Sequence, residues 1–160
     1  MPGSSRSVAR VGRRRGSAVT EKNSVGHGEI TRLLAAAKGA AANAYAPYSR
    51  FPVGAACWAA SGAIHVGTNV ENASYGLAIC AERSAICAAV AAGERELRAI
   101  VLYTPTGSPV TPCGACRQFL CEFGDNIAVV CCCDGPEILE LTSGDLLPAR
   151  FVLNTPGGCA

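Results

Sequence analysis

The sequence predicts an α/β fold whose sheet is partly parallel and begins with an antiparallel hairpin. After residue 29, short apolar runs alternate with helical patterns, and the first two runs are separated by a Ser-Gly turn. Apolar residues make up 49% of the 160 residues and charged residues 16%, which suits a single domain with a buried core. We therefore expect one domain over residues 29–151, preceded by a basic tail over 1–28 and followed by an irregular tail over 152–160.

The individual elements follow from apolar periodicity and from residues that end helices. An Ala-rich amphipathic helix is expected to end before Pro47, and a buried helix is expected to end at Gly93. A third helix is expected to open just after Cys113 and to end at Gly124. The predicted helices cover 30–46, 77–92 and 114–123; the predicted strands cover 53–60, 64–70, 99–104 and 127–133; residues 141–147 lead to an irregular end.

Charge is distributed unevenly along the chain. Residues 1–28 contain six basic residues against one acid, Glu21, and are rich in Ser and Gly, which predicts disorder. An organellar transit peptide and an extension upstream of a later start, at Val19 or Val25, are the alternatives. The remaining chain is net acidic, so we expect no nucleic-acid partner for the folded domain.

Ten cysteines suggest a disulfide scaffold at first. Such scaffolds are short and rich in loops, whereas this chain is rich in core residues, and Cys131-Cys132-Cys133 lies in an apolar run where cysteine acts as a small hydrophobe. Buried and metal-bound thiols in a reducing cytoplasm fit the sequence better. The sequence has neither an 18-residue apolar stretch nor a secretory signal pattern, so we expect no membrane association.

Three cysteines and a glutamate form a pattern typical of a zinc site. Cys80 precedes Glu82 by two residues at the start of a helical run, and Cys113 and Cys116 share one face of another helix start. Helix N-termini stabilise thiolates, and catalytic zinc takes three protein ligands with an open fourth position. The pattern is similar to the Cys-x-Glu and Pro-Cys-x-x-Cys signature of zinc-dependent nucleobase deaminases.

The motif has two other interpretations. A structural four-cysteine zinc site would need Cys87 or Cys121 as its fourth ligand, but both are remote along their helices. Glu82 could instead simply stabilise the N-terminus of its helix. In a catalytic site, Arg83 and Arg117 are expected to offset the thiolate charge by donating to the ligand sulfurs. Neither histidine, His27 or His65, fits the ligand pattern.

Further segments extend the pattern over roughly residues 29–151, and with them the chain resembles the small, homotetrameric cytidine deaminases. The matching segments are residues 48–56 (YSRFPVGAA), 69–76 (NVENASYG), 79–83 (ICAER), 112–118 (PCGACRQ) and 145–151 (DLLPARF). The resemblance implies a three-layer fold, with helices on both faces of a mixed five-stranded sheet. It also implies one zinc ion per chain, a homotetramer with shared active sites, and a role in pyrimidine salvage.

The resemblance further implies the reaction and the residues that bind the nucleoside. Cytidine and deoxycytidine would be hydrolysed to uridine and deoxyuridine, with zinc-bound hydroxide attacking C4 and Glu82 shuttling protons. Asn69 and Glu71 would hydrogen-bond the ribose hydroxyls. The apolar contacts to the base and sugar would come from Phe51, Tyr75, Ala81 and Phe151, with Phe151 reaching across a subunit interface.

Three alternative functions compete with this one. A deaminase of the blasticidin S type would share the zinc signature. The hydrogen bonds expected from Asn69 and Glu71 to ribose argue against it. A deaminase acting on polynucleotides is disfavoured by the acidic domain. A non-enzymatic zinc module or pseudoenzyme is disfavoured by the intact Glu82.

Overall fold

The computed structural model describes residues 25–153, so the predictions for 1–24 and 154–160 lie outside the described residues. The predicted domain boundary at residue 29 falls inside the first helix. The strands are β1 (Gly54–Ala59), β2 (Ile64–Thr68), β3 (Leu97–Tyr103), β4 (Ala128–Cys132) and β5 (Ile138–Thr142). The helices are α1 (His27–Ala41), α2 (Ala81–Ala91), α3 (Gly114–Cys121) and α4 (Ser143–Leu146), with a 3₁₀ turn at Tyr75–Leu77.

The strands form one mixed sheet in the order β2-β1-β3-β4-β5. β1 pairs antiparallel with β2 and with β3, β3 pairs parallel with β4, and β4 pairs antiparallel with β5. The crossover from β3 to β4 is made by α3, as a parallel pair requires. The predicted hairpin followed by a parallel pair is thus confirmed.

Each face of the sheet is covered by helices. On one face, Ala55, Ile100 and Val129 pack with the buried residues of α2 and with Leu120 of α3. On the other face, the neighbouring strand residues pack against Leu33, Ala37 and Ala41 of α1. This alternation arises because successive strand side chains point to opposite faces. The three-layer arrangement implied by the resemblance is confirmed.

Tertiary pairing moves the helix ends away from their predicted positions. α1 begins at His27 and ends at Ala41, not at Ala46, because Tyr45 forms a backbone bridge with Val70. α2 begins at Ala81, not at Leu77, because Ile79 exchanges two backbone hydrogen bonds with Val70 at 2.9 and 3.0 Å. These bridges use backbone groups that a continued helix would need.

The fifth strand and the short fourth helix were absent from the elements predicted by periodicity. β5 is an edge strand whose first three residues, from Ile138 to Glu140, are exposed, so its sequence shows no clean alternation of buried and exposed positions. α4 begins with a capping box in which the Thr142 hydroxyl accepts from the Asp145 amide and the Asp145 carboxylate accepts from the Thr142 amide.

Two glycines allow helices to approach the sheet closely. A Cβ on Gly67 of β2 would lie 2.6 Å from the carbonyl oxygen of Ala81 and 2.8 Å from Cα of Ala85, both in α2. A Cβ on Gly54 of β1 would lie 2.6 Å from the amide nitrogen of Ala41 in α1. Real Cβ atoms do not come this close to backbone, so Gly67 sets how near the start of α2 lies to the sheet.

Candidate active site

A cleft of about 400 Å³ opens where β3 ends and β1 begins. Its walls come from the segment before β1, the segment between β2 and α2, and the loop that follows β3. Clefts beyond the carboxyl ends of parallel strands are the usual ligand sites of open α/β sheets. Cys80, Ala81 and Glu82 lie along this cleft together with Cys113.

Two helix N-termini bring three thiols together beside the cleft. Cys80 is the N-cap residue of α2, Cys113 is the N-cap residue of α3, and Cys116 lies in the first turn of α3. The Sγ atoms of Cys80 and Cys113 are 3.8 Å apart, those of Cys113 and Cys116 are 3.6 Å apart, and all three lie within 4.8 Å of one another. The sequence-predicted ligand set is therefore assembled in space.

The three sulfurs suit a zinc ion in both geometry and chemistry. Tetrahedral zinc with Zn–S bonds of about 2.3 Å places its sulfur ligands about 3.8 Å apart. The separations of 3.8 and 3.6 Å that Cys113 makes with Cys80 and Cys116 are close to this value. Within the described residues, these three cysteines are the one group of His, Cys, Asp or Glu arranged to hold a metal ion. Cys87 and Cys121 do not belong to it, which argues against a four-cysteine structural site.

The thiols of Cys80 and Cys116 differ in acidity. Hydrogen bonding from Cys116 and then from Arg83 lowers the pKa of Cys80 to about 5 against the effect of its partial burial. The hydrogen bond that Cys116 gives to Cys80, together with its burial, raises the pKa of Cys116. Cys80 therefore ionises more readily than Cys116.

Glu82 lies in the first turn of α2, one residue beyond Ala81, and is 5% exposed. Removal from water raises the pKa of its carboxyl, and the nearby Cys80 adds to this effect. A buried carboxyl with a raised pKa beside a group of thiols is typical of a functional site rather than of a helix-stabilising surface charge.

The two arginines expected to neutralise the thiolates behave differently. Nη2 of Arg83 lies 3.9 Å from Sγ of Cys80 and 3.1 Å from the carbonyl oxygen of Ala78, which agrees with the expectation. Arg117 donates instead to oxygens of Pro112, Thr111 and Leu146, at 2.8, 3.1 and 3.3 Å respectively. Arg117 thus holds the backbone just before Cys113 and ties it to α4.

Asn69 and Glu71 both reach the cleft, but each is already engaged with backbone. The Asn69 side chain accepts from the Val53 amide at 2.8 Å and donates to the Phe51 carbonyl at 2.9 Å, which fixes the segment entering β1. Oε2 of Glu71 accepts from the amides of Tyr48 and Ser49 at 2.8 and 3.2 Å. These hydrogen bonds, with that of the Ser49 hydroxyl first, lower the pKa of Glu71 and keep it anionic.

The aromatic residues predicted to contact the nucleoside are distributed over two cavities and an outer surface. Phe51 lines the main cleft. Tyr75, which is 84% exposed, lines an adjoining cavity of about 380 Å³ that shares Ser49, Glu71 and Ala78 with the cleft. Phe151 is 71% exposed and lines neither cavity of its own chain.

Sequence reasoning missed the residue that fixes Phe151. Gln118 of α3 donates to the Phe151 carbonyl at 2.9 Å and accepts from the Phe151 amide at 3.2 Å. The preceding Arg150 forms an ion pair with Asp125. A glutamine two residues beyond Cys116 gives no sign in the sequence that it pairs with a backbone 33 residues away.

Residues 28–133 match the family model for the cytidine and deoxycytidylate deaminase zinc-binding region. The chain belongs to the cytidine deaminase family. Zinc is accordingly the cofactor of this domain, and the three-cysteine group is where the described residues could hold it.

Curated relatives and solved structures agree with this membership. A cytidine deaminase from Sporosarcina psychrophila is 43% identical over 124 residues, which are 77% of this chain and 91% of that protein. One from Mycobacterium tuberculosis is 45% identical over 115 residues, or 72% of this chain and 84% of that one. The crystal structure of cytidine deaminase from Burkholderia pseudomallei is 45% identical with a TM-score of 0.74, covering 79% of this chain and 100% of that one.

The described residues contain no helix long and apolar enough to cross a lipid bilayer.

Proposed function

We propose that this protein catalyses the hydrolytic deamination of cytidine and deoxycytidine to uridine and deoxyuridine, with release of ammonia. One observation carries the proposal: the buried Glu82 and the thiols of Cys80 and Cys113 line one cleft of nucleoside size, with Cys116 completing a metal-binding group. The relatives named cytidine deaminase support cytidine as the substrate.

Cys80, Cys113 and Cys116 would hold the zinc ion as thiolates. Zinc bound there supplies the activation of water at neutral pH that hydrolysis requires. Three thiolates outweigh the charge of Zn²⁺, and this excess would weaken such activation. Arg83 beside Cys80 and the N-termini of α2 and α3 offset that negative charge.

Glu82 is proposed to move protons between the attacking water, the ring nitrogen N3 and the leaving amino group. Burial favours its protonated form, so it holds a proton more readily than an exposed carboxyl does and can release it to a stronger base. Glu82 and the fully buried Ala81 line the same cleft, so the Glu82 carboxyl can reach a substrate bound there. A single carboxyl can serve both transfers because all the reacting atoms lie in one cleft.

The ribose is proposed to be held by Glu71 and Asn69. Glu71 stays ionised and has Oε1 free of the backbone bonds that engage Oε2, so Oε1 can accept from a sugar hydroxyl. Asn69 has one amide hydrogen left after its bond to Phe51 and can donate it. Phe51, held in place by that bond, would pack against the pyrimidine, and Tyr75 would line the pocket beyond Glu71.

A homotetramer with shared active sites is part of the proposal. Phe151 is exposed, is held by Gln118 and lines neither described cavity of its own chain, which supports a role in the pocket of a neighbouring subunit. The free thiols of nine cysteines in the described residues are consistent with a reducing compartment, and we propose a cytoplasmic enzyme of pyrimidine salvage.

The proposal is tested by following the loss of ultraviolet absorbance when the purified protein is incubated separately with cytidine, deoxycytidine, cytosine, CMP and blasticidin S. Cytidine and deoxycytidine should be turned over. Cytosine should be a poor substrate, because binding energy from the ribose helps to orient the ring. CMP should also be poor, because the residues that line the cleft among those described include Glu71 and no Lys or Arg to receive a phosphate. Turnover of CMP or blasticidin S at the rate of cytidine would contradict the nucleoside pocket.

A further inference from the structure

One wall of the cleft is a loop without regular structure, and a turn from the neighbouring strand packs against it. The β3–α3 loop, residues 104–113, contributes Thr104, Val110 and Thr111 to the cleft and ends at Cys113. The post-β4 turn, residues 133–135, follows the parallel neighbour of β3. The turn itself lines neither described cavity.

The contact between the turn and the loop leaves no space for a side chain. The Asp134 amide donates to the Thr106 carbonyl at 3.0 Å. A Cβ added to Gly135 would overlap the carbonyl oxygen of Gly107 and lie 3.1 Å from its carbonyl carbon. Because both partners are backbone, neither can yield by changing a rotamer.

The Asp134 side chain fixes the turn to the end of β3. The Tyr103 hydroxyl donates to Oδ1 of Asp134 at 2.6 Å, and Tyr103 is 8% exposed. Lys38 of α1 lies 4.0 Å from the same oxygen and 4.8 Å from the centre of the Tyr103 ring. The Asp134 and Lys38 side chains are 57% and 47% exposed, so their ion pair adds little, and the buried tyrosine is the main anchor.

Hydrogen bonds within the loop extend this contact to the cleft wall. The Thr104 and Thr106 hydroxyl oxygens are 2.7 Å apart, and Thr106 donates to the Ser108 carbonyl at 2.7 Å. The Thr104 amide also donates to the Cys132 carbonyl at 3.3 Å, beside the turn. Thr104 is 2% exposed and lines the cleft. Ser108 follows Gly107 directly, so a displacement at Gly107 is passed to Thr104 through two hydrogen bonds. One joins Ser108 to Thr106 and the other joins Thr106 to Thr104.

We propose that the post-β4 turn is a positioning element for the cleft wall, in which Gly135 sets the distance to the β3–α3 loop and Asp134 anchors the turn to Tyr103. Both residues act through the loop and contact neither substrate nor zinc. The inference rests on the proposed deamination for its effect on turnover, and on the geometry of the loop alone for its effect on structure.

The decisive comparison uses two glycines that face each other. Gly135→Ala places a methyl group against the Gly107 carbonyl, whereas Gly107→Ala points its methyl group into open space. We expect Gly135→Ala to lower kcat/KM by about 10-fold to 10²-fold, mostly through KM, with zinc content unchanged. Hydrogen exchange at the amides of Thr104, Thr106 and Asp134 should accelerate in the same variant. Gly107→Ala should leave both readouts as in the parent.

A second pair of variants keeps the test informative if Gly135→Ala does not fold. Asp134→Ala removes the acceptor of the Tyr103 hydroxyl, and Asp134→Asn retains an acceptor oxygen, so the asparagine variant should restore most of the kcat/KM lost in the alanine variant. Unchanged exchange in Gly135→Ala and Asp134→Ala would overturn the inference. Faster exchange with unchanged kcat/KM would overturn the positioning role.

A parent protein that does not deaminate cytidine would refute the proposed function instead. The exchange rates alone would then decide whether the turn holds the loop.

Discussion

Two groups of cysteines in this chain have opposite environments. Cys80 and Cys113 cap helices beside an open cleft, whereas Cys57 and Cys131 lie fully buried in β1 and β4. Hydrogen bonds from Cys116 and Arg83 lower the pKa of Cys80 to about 5, and burial raises the pKa of both Cys57 and Cys131 to about 12. The same residue type is thus placed to bind a metal at a helix N-terminus and packs as a small hydrophobe in a central strand.

The largest difference between the two groups should appear when one member of each is truncated. Cys113→Ala should lose zinc and reduce cytidine turnover to background, because two sulfurs remain where the site offers three. Cys131→Ala should keep both and lose only about 1 kcal/mol of stability, as when a small buried group is deleted. Elemental analysis and the absorbance assay on the same samples measure this. Zinc retained at full stoichiometry in Cys113→Ala would contradict the assignment of Cys113 to the metal-binding group.

The position of Cys80 at the start of α2 also depends on how closely α2 lies against the sheet. Gly67→Ala should destabilise the protein by about 1–3 kcal/mol, because its methyl group meets the backbone of α2 at Ala81 and Ala85. The matched change Gly39→Ala, in the last turn of α1 with nothing near the new methyl group, should be neutral or slightly stabilising. Thermal and denaturant unfolding of the two variants gives the comparison. Equal stabilities would show that α2 does not need this close approach.

A smaller effect is expected from the aromatic residue that the α3 helix holds outward. Phe151→Ala should weaken nucleoside binding by about 1–3 kcal/mol, the usual cost of losing one base–aromatic stack, without changing zinc content. Gln118→Met should change KM in the same direction by less, because it releases the Phe151 backbone but keeps the ring. Leu153→Ala, equally exposed in the same segment, is the control. A fully active monomer in sedimentation and assay at one concentration would contradict the shared site.

The smallest expected effect is a difference in thiol labelling. After zinc is removed with a chelator, Cys80 should react with an alkylating reagent even at pH 6, because a pKa of about 5 leaves it as thiolate above that pH. Cys57 and Cys131 should stay unlabelled up to pH 8, because their raised pKa and full burial leave almost no accessible thiolate. Mass spectrometry of labelled peptides reports both. If Cys131 in the folded protein were labelled as fast as Cys80, the expected difference in reactivity between Cys80 and the buried thiols would be wrong.

Local sequence patterns predicted the grouping of the three thiols better than they predicted the element ends. The zinc group could be predicted because each of its cysteines is fixed by a local feature, the start of a helix, and α3 begins at Gly114 as expected. The end of α1 could not, because the bridge from Tyr45 to Val70 joins residues distant in sequence. β5 was missed because an exposed edge strand has no buried alternation to reveal it.

Individual polar side chains also divide into those whose contacts follow from local spacing and those whose contacts depend on distant parts of the chain. Arg83 is one helical turn from Cys80, so its contact with that sulfur follows from spacing. Arg117 is also about one helical turn beyond Cys113, four residues on, but it donates to Pro112, Thr111 and Leu146, since the loop and α4 fold over it. The two hydrogen bonds between the Gln118 side chain and the Phe151 backbone likewise depend on the path of the chain after α4, so no local sequence pattern predicts them.

The central claim is that Glu82 and the three-thiol group together form a deaminase site, and Glu82→Gln tests it most directly. The amide keeps the size of the side chain but cannot accept or hold the transferred proton. Zinc content and thermal stability should match the parent, while kcat for cytidine should fall by at least about 10²–10⁴-fold, the usual value of general acid–base catalysis. A Glu82→Gln protein that binds zinc and deaminates cytidine within about tenfold of the parent rate would contradict the account.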